Sequence, residues 1–93
     1  MRLTELRSRI HVGTRITCIQ NTYNPKLANS VRVVEKVQRN GYWFRVDGKR
    51  VFGSLPERAS QIVDSTGDTL TFRLFPKDPD SSHTVTIRIE AKS

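Results

Sequence analysis

The sequence predicts a mainly β protein of about six antiparallel strands, and three observations lead to that prediction. The dipeptides Asn40-Gly41 and Asp47-Gly48 favour type I′ hairpin turns, whose two central residues both need positive φ. The residues around these dipeptides are largely β-branched or aromatic, as in strands. Two segments near the C-terminus alternate polar and apolar residues, which is typical of half-buried strands.

The central segment, residues 31–53, is predicted to form a three-stranded meander. Its strands are expected at 31–39, 42–46 and 49–53. If both turns are two-residue loops, Arg39 opposes Tyr42 in the first hairpin. By the same rule Val46 opposes Lys49 in the second hairpin, and these two pairs define the register of the whole sheet.

The predicted register sorts the side chains of the meander onto two faces, because alternate residues point to opposite sides of a sheet. One face is apolar and is predicted to be the core face: Val31, Val33, Val37, Phe44, Val46 and Val51, with Glu35 and Lys49 towards its edge. The other face carries Arg32, Val34, Lys36, Gln38, Trp43, Arg45, Arg50 and Phe52. On that second face the register predicts two cross-strand rows, Lys36–Arg45–Arg50 and Gln38–Trp43–Phe52.

A row of cations beside a pair of aromatic rings is the composition of a nucleic-acid-binding surface. Cations contact phosphates, and rings stack on bases or pack on sugars. The alternative is that Trp43 and Phe52 lie under the N-terminal segment and that the cations are a solvated face. The predicted contacts are Arg32, Lys36, Gln38, Arg39, Trp43, Arg45, Arg50 and Phe52, with Tyr23 and Lys26 as candidates from the loop 21–30.

Two further elements are predicted before the meander. Leu3, Leu6 and Ile10 recur at helical spacing, which predicts a short amphipathic helix within residues 1–11. Residues 14–20 alternate and predict a strand. Its buried face is expected to carry Ile16 and Cys18.

After the meander, Ser54 stands three residues before Glu57, which is the spacing of a capping box. It predicts a helical turn over about 55–61. A turn is expected at 65–68. The strands 69–75 and 83–90 are predicted to pair as a hairpin around the polar loop 76–82, with the apolar side chains Leu70, Phe72, Leu74, Val85, Ile87 and Ile89 facing the core.

This order of elements resembles the SH3-like small β-barrels. The resemblance is one of architecture and covers roughly residues 12–75. It implies a small barrel or a strongly twisted antiparallel sheet. The length of 93 residues predicts a single domain over 1–93, whose β-barrel is expected to span 14–90. Many SH3-like barrels bind DNA, RNA or peptides, so the resemblance leaves both nucleic-acid and protein partners open.

The charge of the chain is high and unevenly distributed. The 93 residues carry a net charge of +7. Residues 1–50 contain eleven of the sixteen Lys and Arg residues and only three of the nine Asp and Glu residues. Eleven of the cations are arginine, which binds phosphates in a bidentate manner. This distribution predicts a polyanionic partner.

The sequence carries little sign of catalysis or cofactors. His11, His83 and Cys18 are isolated, so neither a metal site nor a catalytic triad is predicted. No phosphate-binding glycine loop occurs, and we expect no enzyme activity and no cofactor. No apolar run reaches the length of a membrane span or of a signal peptide. A single cysteine excludes an intramolecular disulfide and favours a cytoplasmic, reducing location.

The first functional hypothesis is a small basic protein that binds nucleic acid with low sequence specificity through the meander. The second is a protein-interaction module, such as a viral or mobile-element accessory protein that inhibits a nucleic-acid-handling enzyme by docking on its acidic surface. The third is a self-assembling structural subunit. The residues do not choose between DNA and RNA, and they leave the oligomeric state open.

Overall fold

The protein is described by a computed structural model that covers residues 2–74 and 83–90. Within these residues the fold is mainly β, as predicted, but has eight strands rather than six. One short helix, α1, spans Leu3–Arg9, and 3₁₀ turns span Pro25–Leu27 and Ala59–Gln61. The strands are β1 Arg15–Asn21, β2 Ser30–Val33, β3 Lys36–Gln38, β4 Gly41–Val46, β5 Lys49–Ser54, β6 Ile62–Thr66, β7 Thr69–Arg73 and β8 Thr84–Ile89.

The strands form two antiparallel sheets. The larger sheet has the order β2-β1-β8-β7-β6, and the smaller one has the order β3-β4-β5. Among the described residues neither sheet closes on itself, so of the two predicted forms, a small barrel or an antiparallel sheet, the closed barrel is not formed. The same residues contain no helix with the length and apolar character needed to cross a bilayer.

The larger sheet confirms the predictions for the N-terminal strand and the C-terminal hairpin. β7 and β8 pair with Leu70 opposite Ile87, and β1 joins them with Cys18 opposite the same Ile87. The predicted inward residues of these strands are all buried: Ile16, Cys18, Leu70, Phe72, Leu74, Val85, Ile87 and Ile89. The predicted loop 76–82 lies outside the described residues.

The two turns of the meander differ. Asp47 and Gly48 adopt φ of 52° and 82°, which confirms the type I′ turn between β4 and β5. In the first hairpin Val37 pairs with Tyr42 and Gln38 with Gly41, so the turn residues are Arg39 and Asn40 and the predicted register is wrong by two positions. The shift is even, so the alternation of faces within β3 is unchanged.

Gly41 explains the two-position change in register of the first hairpin, because it is a strand residue rather than a turn residue. A Cβ atom at Gly41 would lie 2.2 Å from the carbonyl oxygen of Gly53 and 2.4 Å from the Phe52 ring. Only glycine allows the two strands to approach this closely. Its φ is not positive, so this glycine serves close packing and not turn geometry.

The predicted strand 31–39 is wrong, since the chain bends at Glu35 and divides into two strands. The amide of Val34 donates to the Thr14 carbonyl at 3.0 Å, in the larger sheet. The next amide, that of Glu35, donates to the Trp43 carbonyl at 2.8 Å, in the smaller sheet. Residues 31–34 therefore take their orientation from β1 rather than from β4.

The predicted core face is consequently wrong for four valines. Val31 and Val33 are 65% and 49% exposed, while the intervening Arg32 is buried. Val37 and Val46 also remain about two-fifths exposed, since Val37 lies in the short edge strand β3 and Val46 is the last residue of β4. Phe44 is buried and Val51 packs partly against the core, so the prediction holds for the middle of the meander.

The predicted helix is confirmed, and its apolar side joins the hydrophobic core. Leu6 and Ile10 are buried, and Leu3 is half-buried against the same cluster. The Arg9 guanidinium forms a salt bridge of 2.8 Å with Asp68, in the turn between β6 and β7. Because this bridge is exposed, we attribute the position of α1 mainly to its apolar side.

The predicted capping box at Ser54 is not formed, because Ser54 is the last residue of β5. The buried Gln61 holds this segment instead. Its side-chain oxygen accepts from the amides of Glu57 and Arg58 at 2.9 and 3.1 Å, and its amide group donates to the Arg73 carbonyl at 3.0 Å. The chain then enters β6, a strand that was not predicted from the sequence.

Candidate nucleic-acid interface

The smaller sheet presents an outer surface that we call the basic–aromatic face. It consists of Lys36, Gln38, Trp43, Arg45, Arg50 and Phe52. The opposite side of the same strands carries Tyr42 and Phe44, which are buried in the core. Strand alternation therefore separates the two sets, as the sequence predicted for β4 and β5.

The aromatic pair of this face is formed as predicted. Trp43 opposes Phe52, with ring centroids 5.1 Å apart and planes inclined by 59°. The indole N–H donates to the Gln38 side-chain oxygen at 3.1 Å. The Arg50 guanidinium carbon lies 5.4 Å from the indole centroid, a cation–π distance. Both rings are half-buried, so each retains an accessible surface.

The N-terminal helix makes its polar contacts away from the aromatic pair. The Arg7 guanidinium donates to the Glu57 carbonyl at 3.3 Å, and Arg9 bonds to Asp68. The apolar side of α1 lies in the common core with Leu6. The described contacts of the Trp43 indole are all with neighbours on its own sheet, which are Gln38, Arg50 and Phe52.

The predicted row of three opposed cations is only partly formed. Arg45 opposes Arg50, as predicted, but Lys36 opposes Trp43. The Arg45 guanidinium bonds to the Glu35 carboxylate at 2.8 Å and to the Gly48 carbonyl at 3.1 Å. Arg45 is therefore paired with a carboxylate within the molecule, and the three cations do not form a single cross-strand row.

The remaining cations of the segment are available to a partner. Lys36, Arg39 and Lys49 are exposed, and none has a hydrogen bond or salt bridge to another described residue. Over residues 35–54 there are five cations against two carboxylates, a local charge of +3. Such an excess on one small sheet attracts polyanions at low salt.

Arg32 does not belong to this face, and its predicted position is wrong. It is 3% exposed, and its guanidinium donates to the Tyr42 hydroxyl at 2.9 Å, the Ser30 hydroxyl at 3.3 Å and the Leu27 carbonyl at 3.4 Å. The same group lies 4.4 Å from the centroid of the Phe44 ring. These contacts assign Arg32 to the junction of the two sheets, where a partner cannot reach it.

Two ionisable groups beside Arg32 are shifted by burial. Desolvation raises the pKa of the Tyr42 hydroxyl, although the Arg32 charge and hydrogen bond oppose the shift. Desolvation also raises the pKa of the Cys18 thiol, again opposed by Arg32. Both groups therefore stay protonated at neutral pH. Cys18 is a buried core residue and lacks the character of a nucleophile.

The candidate loop residues lie beside the larger sheet. Tyr23 is exposed, and its ring meets that of His83 edge-on at 5.3 Å. Lys26 is exposed in the first 3₁₀ turn. The buried Asn21 shapes this loop, because its side-chain oxygen accepts from the amides of Tyr23 and Asn24. No described contact brings this loop together with the basic–aromatic face.

No family model, curated protein or solved structure matches the chain. Within residues 2–74 and 83–90, no three of the His, Cys, Asp and Glu side chains lie close enough together to hold a metal ion.

Glu35 is expected to limit the binding of anions at this face. Glu35→Gln releases Arg45 and removes one negative charge, so we expect nucleic-acid affinity to rise by up to about fivefold at low salt, since exposed ion pairs contribute about 0.2–1 kcal/mol. Glu90→Gln is the matched control, because Glu90 pairs with Arg15 on the larger sheet. Titrations of both variants with nucleic acid measure the change in affinity. Equal affinities of Glu35→Gln and Glu90→Gln would contradict the prediction.

Proposed function

We propose that the protein binds single-stranded nucleic acid, DNA or RNA, with low sequence specificity through the basic–aromatic face. The observation that carries this proposal is the Trp43–Phe52 pair, which lies half-buried on an outer sheet surface with a guanidinium over the indole and an unpaired lysine beside it. Stacking platforms with adjacent cations bind single strands because unpaired bases offer their ring faces.

Arg50 is proposed to have two roles: it shields the Trp43 ring in the free protein and binds a phosphate in the complex. In the free protein it lies over the Trp43 ring. An incoming base takes the place of the guanidinium on the indole, and the displaced guanidinium reaches the phosphate next to that base. Lys36 and Arg39, which have no partners among the described residues, contact phosphates on either side.

Low specificity follows from the few hydrogen-bonding groups on the face. Gln38 is its one carboxamide, and the oxygen of that group already accepts from Trp43. The carboxamide N–H₂ group remains for a base edge. A single hydrogen-bond donor discriminates only weakly between bases, and any base can stack on an aromatic ring.

A second candidate function rests on the same surface. Trp and Arg are enriched among the residues that dominate protein–protein interfaces. The face therefore also suits an acidic protein surface, as on an enzyme that handles nucleic acid. The two functions differ in one respect that experiment can measure: only the first predicts binding to isolated oligonucleotides.

The single tryptophan allows a direct test, because Trp43 fluorescence reports on this face alone. Single-stranded DNA is expected to quench it, more strongly than duplex DNA at equal phosphate concentration, and RNA is tested in parallel. Lys36→Gln and Arg50→Gln should each lower the slope of log K against log salt by about 0.7. Arg88→Gln, on the exposed side of β8, is the control and should leave the slope nearly unchanged. Absence of binding at low salt would refute the proposal.

A further inference from the structure

A groove of about 270 Å³ lies between α1 and the edge of the smaller sheet. Its floor is apolar and is formed by Leu6, Ile10, Leu55 and Pro56, all of which are buried. The half-exposed Val37 of β3 forms one wall. The groove is smaller than the 300–1,000 Å³ or so of pockets for drug-sized ligands, which suits one ring system.

The rim of this groove is cationic. Arg7 borders it from α1 and Arg39 from the first turn of the meander. Both side chains are exposed, and the one described bond of the Arg7 guanidinium, to the Glu57 carbonyl, leaves most of its donors unused. An occupant of this groove therefore needs a flat apolar body with negative charge on either side.

Gln38 joins the groove to the basic–aromatic face. It lines the groove and also accepts the hydrogen bond from the Trp43 indole. The two sites are therefore continuous along the edge of β3. A ligand that leaves the indole can enter the groove without crossing the core.

We propose that the groove holds one base of the bound single strand, with Arg7 and Arg39 contacting the flanking phosphates. This inference rests on the proposed function and extends it to a second base site. A base has a flat apolar face to lay on Leu6, Ile10 and Val37, and the backbone of the strand brings a phosphate to each side of it. An aliphatic side chain of a peptide fits the floor but brings no charge of its own to the rim.

The test narrows the groove without altering the charge of the rim. Val37→Phe places a larger side chain in the wall of the groove, and Val46→Phe is the matched control, since Val46 is equally exposed and does not line the groove. The probe is an oligothymidylate long enough to span both sites. We expect Val37→Phe to bind it roughly tenfold more weakly, within the range for loss of one stacked base, and to keep the wild-type salt slope. Val46→Phe should bind like wild type.

The length of the probe separates this inference from the proposed function. The shortest oligothymidylates that still quench Trp43 occupy the indole alone, so wild type and Val37→Phe should bind them equally. If long probes quench Trp43 and bind Val37→Phe and Val46→Phe with equal affinity, the groove assignment is overturned and the proposed function remains intact. No quench by any probe would overturn both.

A second variant covers the case in which Val37→Phe does not fold. Arg7→Gln removes a rim charge from an exposed position and should lower the salt slope by about 0.7, whereas Arg58→Gln, exposed and outside the groove, should not. Equal salt slopes for Arg7→Gln and Arg58→Gln would contradict the inference.

A peptide rich in Glu and Leu provides the last comparison. If Val37→Phe abolishes its binding while oligothymidylate affinity is unchanged, the groove belongs to a protein partner.

Discussion

Replacing Phe72 by alanine is expected to lower the free energy of unfolding by about 3–5 kcal/mol. Phe72 lies in β7, opposite Val85 on one side and Ile62 on the other, and its side chain is fully buried. Removing its ring leaves a cavity that the surrounding strands can fill only in part. A loss of this size is a large fraction of the stability of a small domain, typically about 5–15 kcal/mol.

Denaturant unfolding of wild type, Phe72→Ala and Phe44→Ala measures this effect. Phe44 is buried on the inner side of β4 and should behave like Phe72. Phe52→Ala is the control. Phe52 lies on the outer side of the smaller sheet, opposite to Phe44, and its ring is only half-buried, so the loss of unfolding free energy should be clearly smaller. Melting of both buried-ring variants within a degree or two of wild type would mean that the core is misassigned.

Replacing Trp43 by alanine is expected to weaken single-strand binding by about 1–3 kcal/mol, or roughly 5- to 150-fold. The indole is the largest ring on the basic–aromatic face, and its hydrogen bond to the Gln38 side-chain oxygen and its contact with Phe52 hold it in place. Its loss removes the stacking surface and leaves the cations of the face in place. Because this variant lacks tryptophan, the anisotropy of a labelled oligonucleotide is the appropriate measurement.

Trp43→Phe separates stacking from structural effects, because it keeps a ring at this position. It should retain most of the affinity, while Trp43→Ala should not. Melting temperatures of both variants determine whether a loss of affinity is a consequence of unfolding. If Trp43→Ala binds as tightly as wild type while the protein still binds nucleic acid, the stacking role is refuted and the contacts lie elsewhere.

Much of the architecture depends on local sequence and could be predicted from it. The Asp47-Gly48 turn needs two residues that tolerate positive φ, and these two occupy it. The β7–β8 hairpin follows from alternation, because a period of two leaves only one face apolar. The Trp43–Phe52 pair then follows from the Asp47-Gly48 turn, since a two-residue loop fixes which residues oppose each other.

Only the tertiary structure decided where the segment 31–39 divides and which face of it is buried. Strand alternation is the same whichever neighbour a strand has, so the sequence did not reveal that β2 pairs with β1 while β3 pairs with β4. That choice turns Arg32 inward to Tyr42. The bend at Glu35 places its carboxylate on Arg45. Such contacts depend on how two sheets meet, and that arrangement is set by long-range packing rather than by any local pattern of residues.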